Sequence, residues 1–208
     1  MPTLLWCAGR LSEHALSAAS RLAPTRVIGV DGGADSARAA GLKVDLVVGD
    51  LDSVDRSAWT DELIESLDGQ NDSDLVKALT LCADRGWRDI FIVGVEGGRV
   101  DHALGAWAAL AEAPLELAIR MFIDAAVAHR ATLIQSVEVN LGEDARFSVF
   151  GLTGTDGRAA PRVGLTGARW SLTDTPLPLS TRGLSNRATG GPVRLTTDGV
   201  AVLIVPAL

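Results

Sequence analysis

The chain has 208 residues, 47% of them hydrophobic and 22% charged, which is the composition of a globular protein with apolar material for one large or two modest domains. No stretch approaches the ~20 unbroken apolar residues of a membrane-spanning helix, and a net charge of −7 argues against nucleic-acid binding through phosphate contacts. The charge is uneven: residues 31–101 carry 16 acidic and 7 basic side chains, a net of −9, which leaves the remainder at +2. Such an acidic segment can still hold an anionic substrate when a divalent cation bridges the two, as in a magnesium–nucleotide site.

The chain opens on Met1-Pro2-Thr3-Leu4-Leu5-Trp6-Cys7-Ala8, an apolar run without a basic leader, which reads as a first strand and not as a signal peptide. Further β-branched runs at 26–31, 46–49 and 90–94 read as buried parallel strands. Helix-like stretches at 12–22, 35–40, 57–67, 73–85 and 102–112 alternate with them, and Ser12 and Ser73 stand where N-caps belong. This alternation predicts an α/β N-terminal domain with a parallel sheet covered on both faces. The two cysteines, Cys7 and Cys82, are far apart and form no C-x-x-C pair, which fits a reducing cytoplasm and neither a disulfide framework nor a structural zinc site.

The rhythm changes near Pro114. Short strand-like runs at 117–123, 132–134, 137–140, 147–150, 193–196 and 200–205 are punctuated by glycines, the signature of an all-β sandwich or barrel. The predicted division is an α/β domain over 1–120 and a β-sandwich C-terminal domain over 121–208, with 151–157 as a surface loop.

Four loops carry chemistry, each following a strand-like run. Asp31-Gly32-Gly33-Ala34 sets paired glycines before a helix start, where a phosphate or ribose can approach the backbone. Gly49-Asp50-Leu51-Asp52-Ser53 places two carboxylates one residue apart on an extended turn, where both can face one cation. Gln70-Asn71-Asp72-Ser73-Asp74 leads into a helix on which Asp74 and Lys77 share a face at i, i+3. Gly97-Gly98-Arg99-Val100-Asp101-His102 offers backbone amides, a guanidinium fork and a carboxylate. Each loop alone also reads as an ordinary turn or cap. Together they fall on one edge of one parallel sheet, where ligands of open α/β sheets bind.

In these elements, and in Gly167-Ala168-Arg169-Trp170-Ser171-Leu172, Gly183-Leu184-Ser185-Asn186 and the closing run 199–205, the sequence resembles the thiamin pyrophosphokinase family, in order and spacing, from about Val27 to Val205. The resemblance implies an α/β domain that binds Mg-ATP, a C-terminal β-sandwich, and a homodimer whose thiamin site lies between the α/β domain of one subunit and the sandwich of the other. It implies that Asp50, Asp52 and Asp74 hold Mg²⁺, and that these acids act with Arg99 and Asp101 in catalysis. Asp31, Gly32, Gly33, Ser53, Lys77, Gly97, Gly98, Arg99 and His102 are the implied nucleotide contacts. Gln70, Asp101, Trp170, Ser185 and Asn186 are the implied thiamin contacts, Trp170 stacking on the thiamin cation for ~0.5–2 kcal/mol.

The activity so implied is transfer of the diphosphate of ATP to the hydroxyl of thiamin, giving thiamin diphosphate and AMP. Two positions depart from the family pattern: Asn71 stands where an acid is usual, and Arg187 follows Ser185-Asn186 where a Glu is usual. Arg187 motivates a second reading, a same-fold pyrophosphokinase acting on another alcohol such as a pterin or thiamin analogue. Asn71 motivates a third, a non-catalytic nucleotide-binding regulator.

Overall fold

A computed structural model of the chain describes residues 1–67, 69, 71–154 and 159–207. They divide into two compact units, Met1–Ala125 and Ala126–Leu208. Residues 155–157 of the predicted surface loop lie outside the described residues.

In the first unit the β-branched runs become strands β1 (Pro2–Trp6), β2 (Arg26–Val30), β3 (Leu46–Gly49), β4 (Ile64–Ser66), β5 (Asp89–Val93) and β6 (Ala118–Ile123). All pair in parallel, in the order β6-β5-β1-β2-β3-β4. Leu4, Leu5, Ile28, Val47, Val48, Ile90 and Ile92 are fully buried along them, as strands covered on both faces require. The helices are α1 (Glu13–Arg21), α2 (Gly33–Ala39), α3 (Asp74–Asp84) and α4 (Val100–Glu112). Ser12 and Ser73 cap α1 and α3, their side chains accepting from Ala15 N and Val76 N. The connections through α1 and α2 step from β1 to β2 to β3, and those through α3 and α4 step the other way. Right-handed crossovers then place one pair of helices on each face, and α3 and α4 touch one another. The direction of winding reverses between β1 and β5, which opens a crevice at their carboxyl ends.

The expected helix over 57–67 does not form. Residues 56–58 and 61–63 are single 3-10 turns, and Ile64–Ser66 is the edge strand β4 paired with β3. Trp59, in extended backbone, donates its indole N–H to Asp35. Tertiary pairing of Ile64 with Val47 therefore overrides a helical pattern too short to sustain itself.

The second unit holds two antiparallel sheets. One is formed by β7 (Ala126–Thr132), β9 (Arg146–Thr153), β12 (Asn186–Arg187) and β14 (Val200–Pro206), in the order β12-β9-β14-β7. The other is formed by β8 (Val137–Leu141), β10 (Arg162–Thr166), β11 (Leu172–Pro176) and β13 (Gly191–Thr197), in the order β11-β10-β13-β8. β13 lies against β7 and β14 and alternates buried Val193 and Leu195 with exposed neighbours. The strand expected at 132–134 is instead the turn leaving β7, with Ile134 exposed. β7 itself is alanine-rich and carries little β propensity; its seven-residue ladder with β14 makes it a strand. Both cysteines are free thiols. Among the described residues no helix is long and apolar enough to cross a membrane.

Candidate active site

The carboxyl ends of β2 and β3 and the start of α3 converge. Asp31 follows β2 with φ +47° and Leu51 lies just beyond β3 with φ +65°, left-handed conformations that cost non-glycine residues about 1–2 kcal/mol and collect at functional sites. Gly49 (φ +144°) lets the two turns approach, since a Cβ there would stand 3.1 Å from the Asp31 Cβ. Ser73 caps α3 and puts Asp74 in its first turn, where the helix dipole favours a carboxylate. The result is a group of three: Asp31, Asp50 and Asp74 each offer a carboxylate oxygen, all within 4.8 Å of one another.

Their hydrogen bonds fix this group. Asp74 Oδ1 accepts from the Asp50 N–H (3.2 Å) and from Lys77 Nζ (3.1 Å). Asp31 Oδ1 accepts from the Ser53 N–H, and Asp50 Oδ1 from the Asp52 N–H. Asp52 stands outside the group, its carboxylate accepting the Ser53 hydroxyl at 2.7 Å. Burial raises the Asp31 pKa above the ordinary carboxylate value; the Gly32 and Ser53 amides and the Ser53 hydroxyl oppose the shift, and the Asp52 charge adds to it. The donor set suits Mg²⁺, which takes hard oxygens at about 2.1 Å in octahedral geometry, so that its ligands stand roughly 3.0 or 4.2 Å apart.

Two further contacts shape this edge of the sheet. The Asp35 carboxylate on α2 accepts from the Asp55 N–H (2.8 Å) and from Trp59 Nε1 (2.9 Å), pinning the loop that carries Asp50–Ser53. The sequence offered no signal for this pairing beyond an acid in a helix's first turn. Gly33 begins α2 against the end of β1, where a Cβ would meet the Trp6 carbonyl oxygen at 2.0 Å.

After β5, Gly97 and Gly98 are exposed and Arg99 precedes α4. Arg99 donates to Asp101 through Nε (3.0 and 3.2 Å) and Nη2 (2.6 Å), and Asp101 also accepts the His102 N–H. The guanidinium bonds hold the Asp101 pKa down at about 2. A carboxylate this acidic is a weak base at neutral pH and is better suited to orienting a group than to deprotonating it.

In the second unit Trp170 is 57% exposed and so is no core residue. Its loop is held by Asn186, a buried side chain that accepts from the Trp170 N–H (3.3 Å) and donates to the Trp170 carbonyl (2.8 Å). Ser185 has φ +59° and donates its N–H to Ser148 Oγ. Arg187 is not a bare charge: it donates to the Asp144 carbonyl (3.0 Å) and pairs with its carboxylate (3.4 Å), which also takes Arg169 at 3.1 Å. Gln70 lies outside the described residues.

Residues 21–123 match the family described as thiamin pyrophosphokinase, catalytic domain. The chain carries a catalytic domain of the thiamin pyrophosphokinase family. Among solved structures, that of thiamine pyrophosphokinase from Bacillus subtilis is similar over 100% of this chain and 99% of its own, at 19% identity and a TM-score of 0.78. Thiamin pyrophosphokinase from Geobacillus thermodenitrificans covers 100% of this chain and 98% of its own, at 20% identity and a TM-score of 0.74. That from Candida albicans covers 100% and 90%, at 11% identity and a TM-score of 0.70. At these identities the likeness is one of fold, and it extends over both units. No curated protein sequence matches the chain. The match to the catalytic-domain family spans Asp31, Asp50, Asp74, Lys77, Arg99 and Asp101.

Proposed function

We propose that the chain is a magnesium-dependent thiamin pyrophosphokinase, transferring the diphosphate of ATP to the hydroxyl of thiamin. The observation that carries this reading is the group formed by Asp31, Asp50 and Asp74 at the carboxyl edge of a parallel sheet, with Lys77 bound to Asp74. Asp31, Asp50 and Asp74 would hold Mg²⁺, with the Asp52 charge alongside. When bound, the cation neutralises phosphate oxygens and raises the electrophilicity of the phosphorus under attack.

The chain's own residues supply alignment. Gly32, Gly33, Ser53, Gly97, Gly98 and His102 present backbone and small polar groups to the nucleotide, and Lys77 adds positive charge. The thiamin oxygen bonds to the β-phosphorus of ATP, the bond from that phosphorus to the α,β-bridging oxygen breaks, AMP leaves and the hydroxyl proton is released. Arg99 stabilises the charge that develops on the transferred group, and Asp101, kept ionised by Arg99, orients the hydroxyl. Trp170 offers its exposed face to the thiamin cation, Asn186 holds that loop in place, and Ser185 and Gln70 complete the thiamin contacts. The active species is a cytoplasmic homodimer; light scattering should find about twice 21.7 kDa, and an active monomer would refute it.

The deciding experiment measures AMP release from Mg-ATP with and without thiamin. Thiamin-dependent AMP with equimolar thiamin diphosphate supports the reading. A second reading, transfer to another alcohol, draws on Arg187 at the position where the family pattern has an acid; AMP release with a pterin or a thiamin analogue and not with thiamin would favour it. Binding of Mg-ATP with no AMP from any alcohol would favour a non-catalytic regulator.

A further inference from the structure

Arg10 belongs to none of the recognised motifs, yet the fold carries it to the same edge. It follows β1 at the point where the sheet reverses its winding, where open α/β sheets take their ligands. The segment Ala8–Arg10 is lodged between two of the candidate loops. On one side a Cβ on Gly32 would stand 3.7 Å from the Ala8 Cβ. On the other, the Gly9 N–H donates to the Gly94 carbonyl at 2.7 Å, and the Arg10 N–H donates to the Glu96 carbonyl. The Arg10 side chain runs along the glycine turn: a Cβ on Gly97 would lie 2.9 Å from the Arg10 Cβ and 3.6 Å from its Nε.

The guanidinium itself is unclaimed. Among the described residues no hydrogen bond, ion pair or ring contact involves it, although the chain carries 26 acidic side chains. The neighbouring acid, Glu96, is already engaged with the Asp124 N–H at 2.7 Å. Lys77 is tied to Asp74 and Arg99 to Asp101, so both must share their charge with a carboxylate. A free guanidinium fork beside exposed glycine amides is a match for phosphate oxygens.

We propose that Arg10 is a phosphate-binding residue of this site and engages the nucleotide polyphosphate from the β1–β5 side, opposite the acidic group at β2 and β3. The assignment rests on the diphosphate-transfer reading above. A polyphosphate gripped by a cation at one end needs positive charge at the other, and Arg10 supplies it as a two-pronged donor.

The test compares parent, R10Q and R10K by calorimetric titration with inorganic tripolyphosphate plus Mg²⁺, and by steady-state AMP release. R10Q should melt within about 2 °C of the parent, because Arg10 is exposed and its guanidinium has no bond to lose. It should raise the tripolyphosphate Kd and the KM for ATP about tenfold, leave the KM for thiamin unchanged, and be partly restored in R10K. R10Q binding tripolyphosphate within twofold of the parent overturns the assignment, as does a parent that binds none. The two readings fail separately. If the parent releases no AMP with thiamin but R10Q still loses tripolyphosphate binding, the substrate reading falls and Arg10 stands. If the parent turns over and R10Q matches it, Arg10 falls and the substrate reading stands.

Discussion

Replacing Asp74 with Asn tests the metal assignment at its most constrained residue. The amide keeps an oxygen acceptor for the Asp50 N–H and removes only the charge. Two effects on stability then oppose one another. Asp74 repels Asp31 and Asp50 across no more than 4.8 Å, at least roughly 0.9 kcal/mol for each pair in a water-like dielectric, and attracts Lys77 at 3.1 Å, about 1.3 kcal/mol. At least roughly 1.7 kcal/mol of repulsion is relieved against about 1.3 kcal/mol of attraction lost, so the metal-free melting temperature should not fall. Turnover is a different matter, since a lost metal ligand removes several kcal/mol of charge stabilisation. At 1.4 kcal/mol per decade, AMP release should fall by about 10²-fold or more. Magnesium-dependent thermal stabilisation, expected in the parent, should weaken in parallel. Near-parental activity at ordinary magnesium would refute the assignment, and a melting temperature lower by ~8 °C would refute the charge balance.

Gly33→Ala would set a Cβ 2.0 Å from the Trp6 carbonyl oxygen; because the Trp6–Cys7 atoms it meets are backbone, a cost near 3 kcal/mol and a ligand-free melting temperature lower by ~6–12 °C are expected, and an unchanged melt would show that α2 shifts freely. Trp170→Ala should melt like the parent, as an exposed ring leaves no core cavity, while thiamin affinity drops two- to thirtyfold from the loss of ~0.5–2 kcal/mol; normal thiamin binding measured by calorimetry would remove Trp170 from the site. Asp101 has a folded pKa lowered to about 2, so its ionisation favours the folded state above the ordinary carboxylate range, and that contribution is lost only as pH falls through about 2. The pH profile of kcat/KM should therefore show no inflection from Asp101 between pH 5 and 9, and a neutral inflection that vanishes in Asp101→Asn would assign it as the base.

The sequence by itself determined the alternating half of the fold and the sheet edge at which the acidic and glycine-bearing loops gather. Buried parallel strands demand continuous apolar runs and their helices begin at serine caps, so β2, β3, β5 and α3 are legible from local pattern. Asp50, Asp74 and Lys77 could be chosen because strand-end acids and an i, i+3 pair are short-range features. Long-range pairing is a different kind of information. Ile64–Ser66 is a strand because β3 offers it an edge, and alanine-rich β7 is one because β14 closes a ladder on it. The third carboxylate of the acidic group is Asp31, brought beside Asp50 by two left-handed turns and the bare face of Gly49. Arg10, 21 residues earlier, reaches that edge through strand order alone. Such contacts are set by which strands become neighbours, and that choice follows from burial summed over the whole sheet, which no local window of the sequence contains.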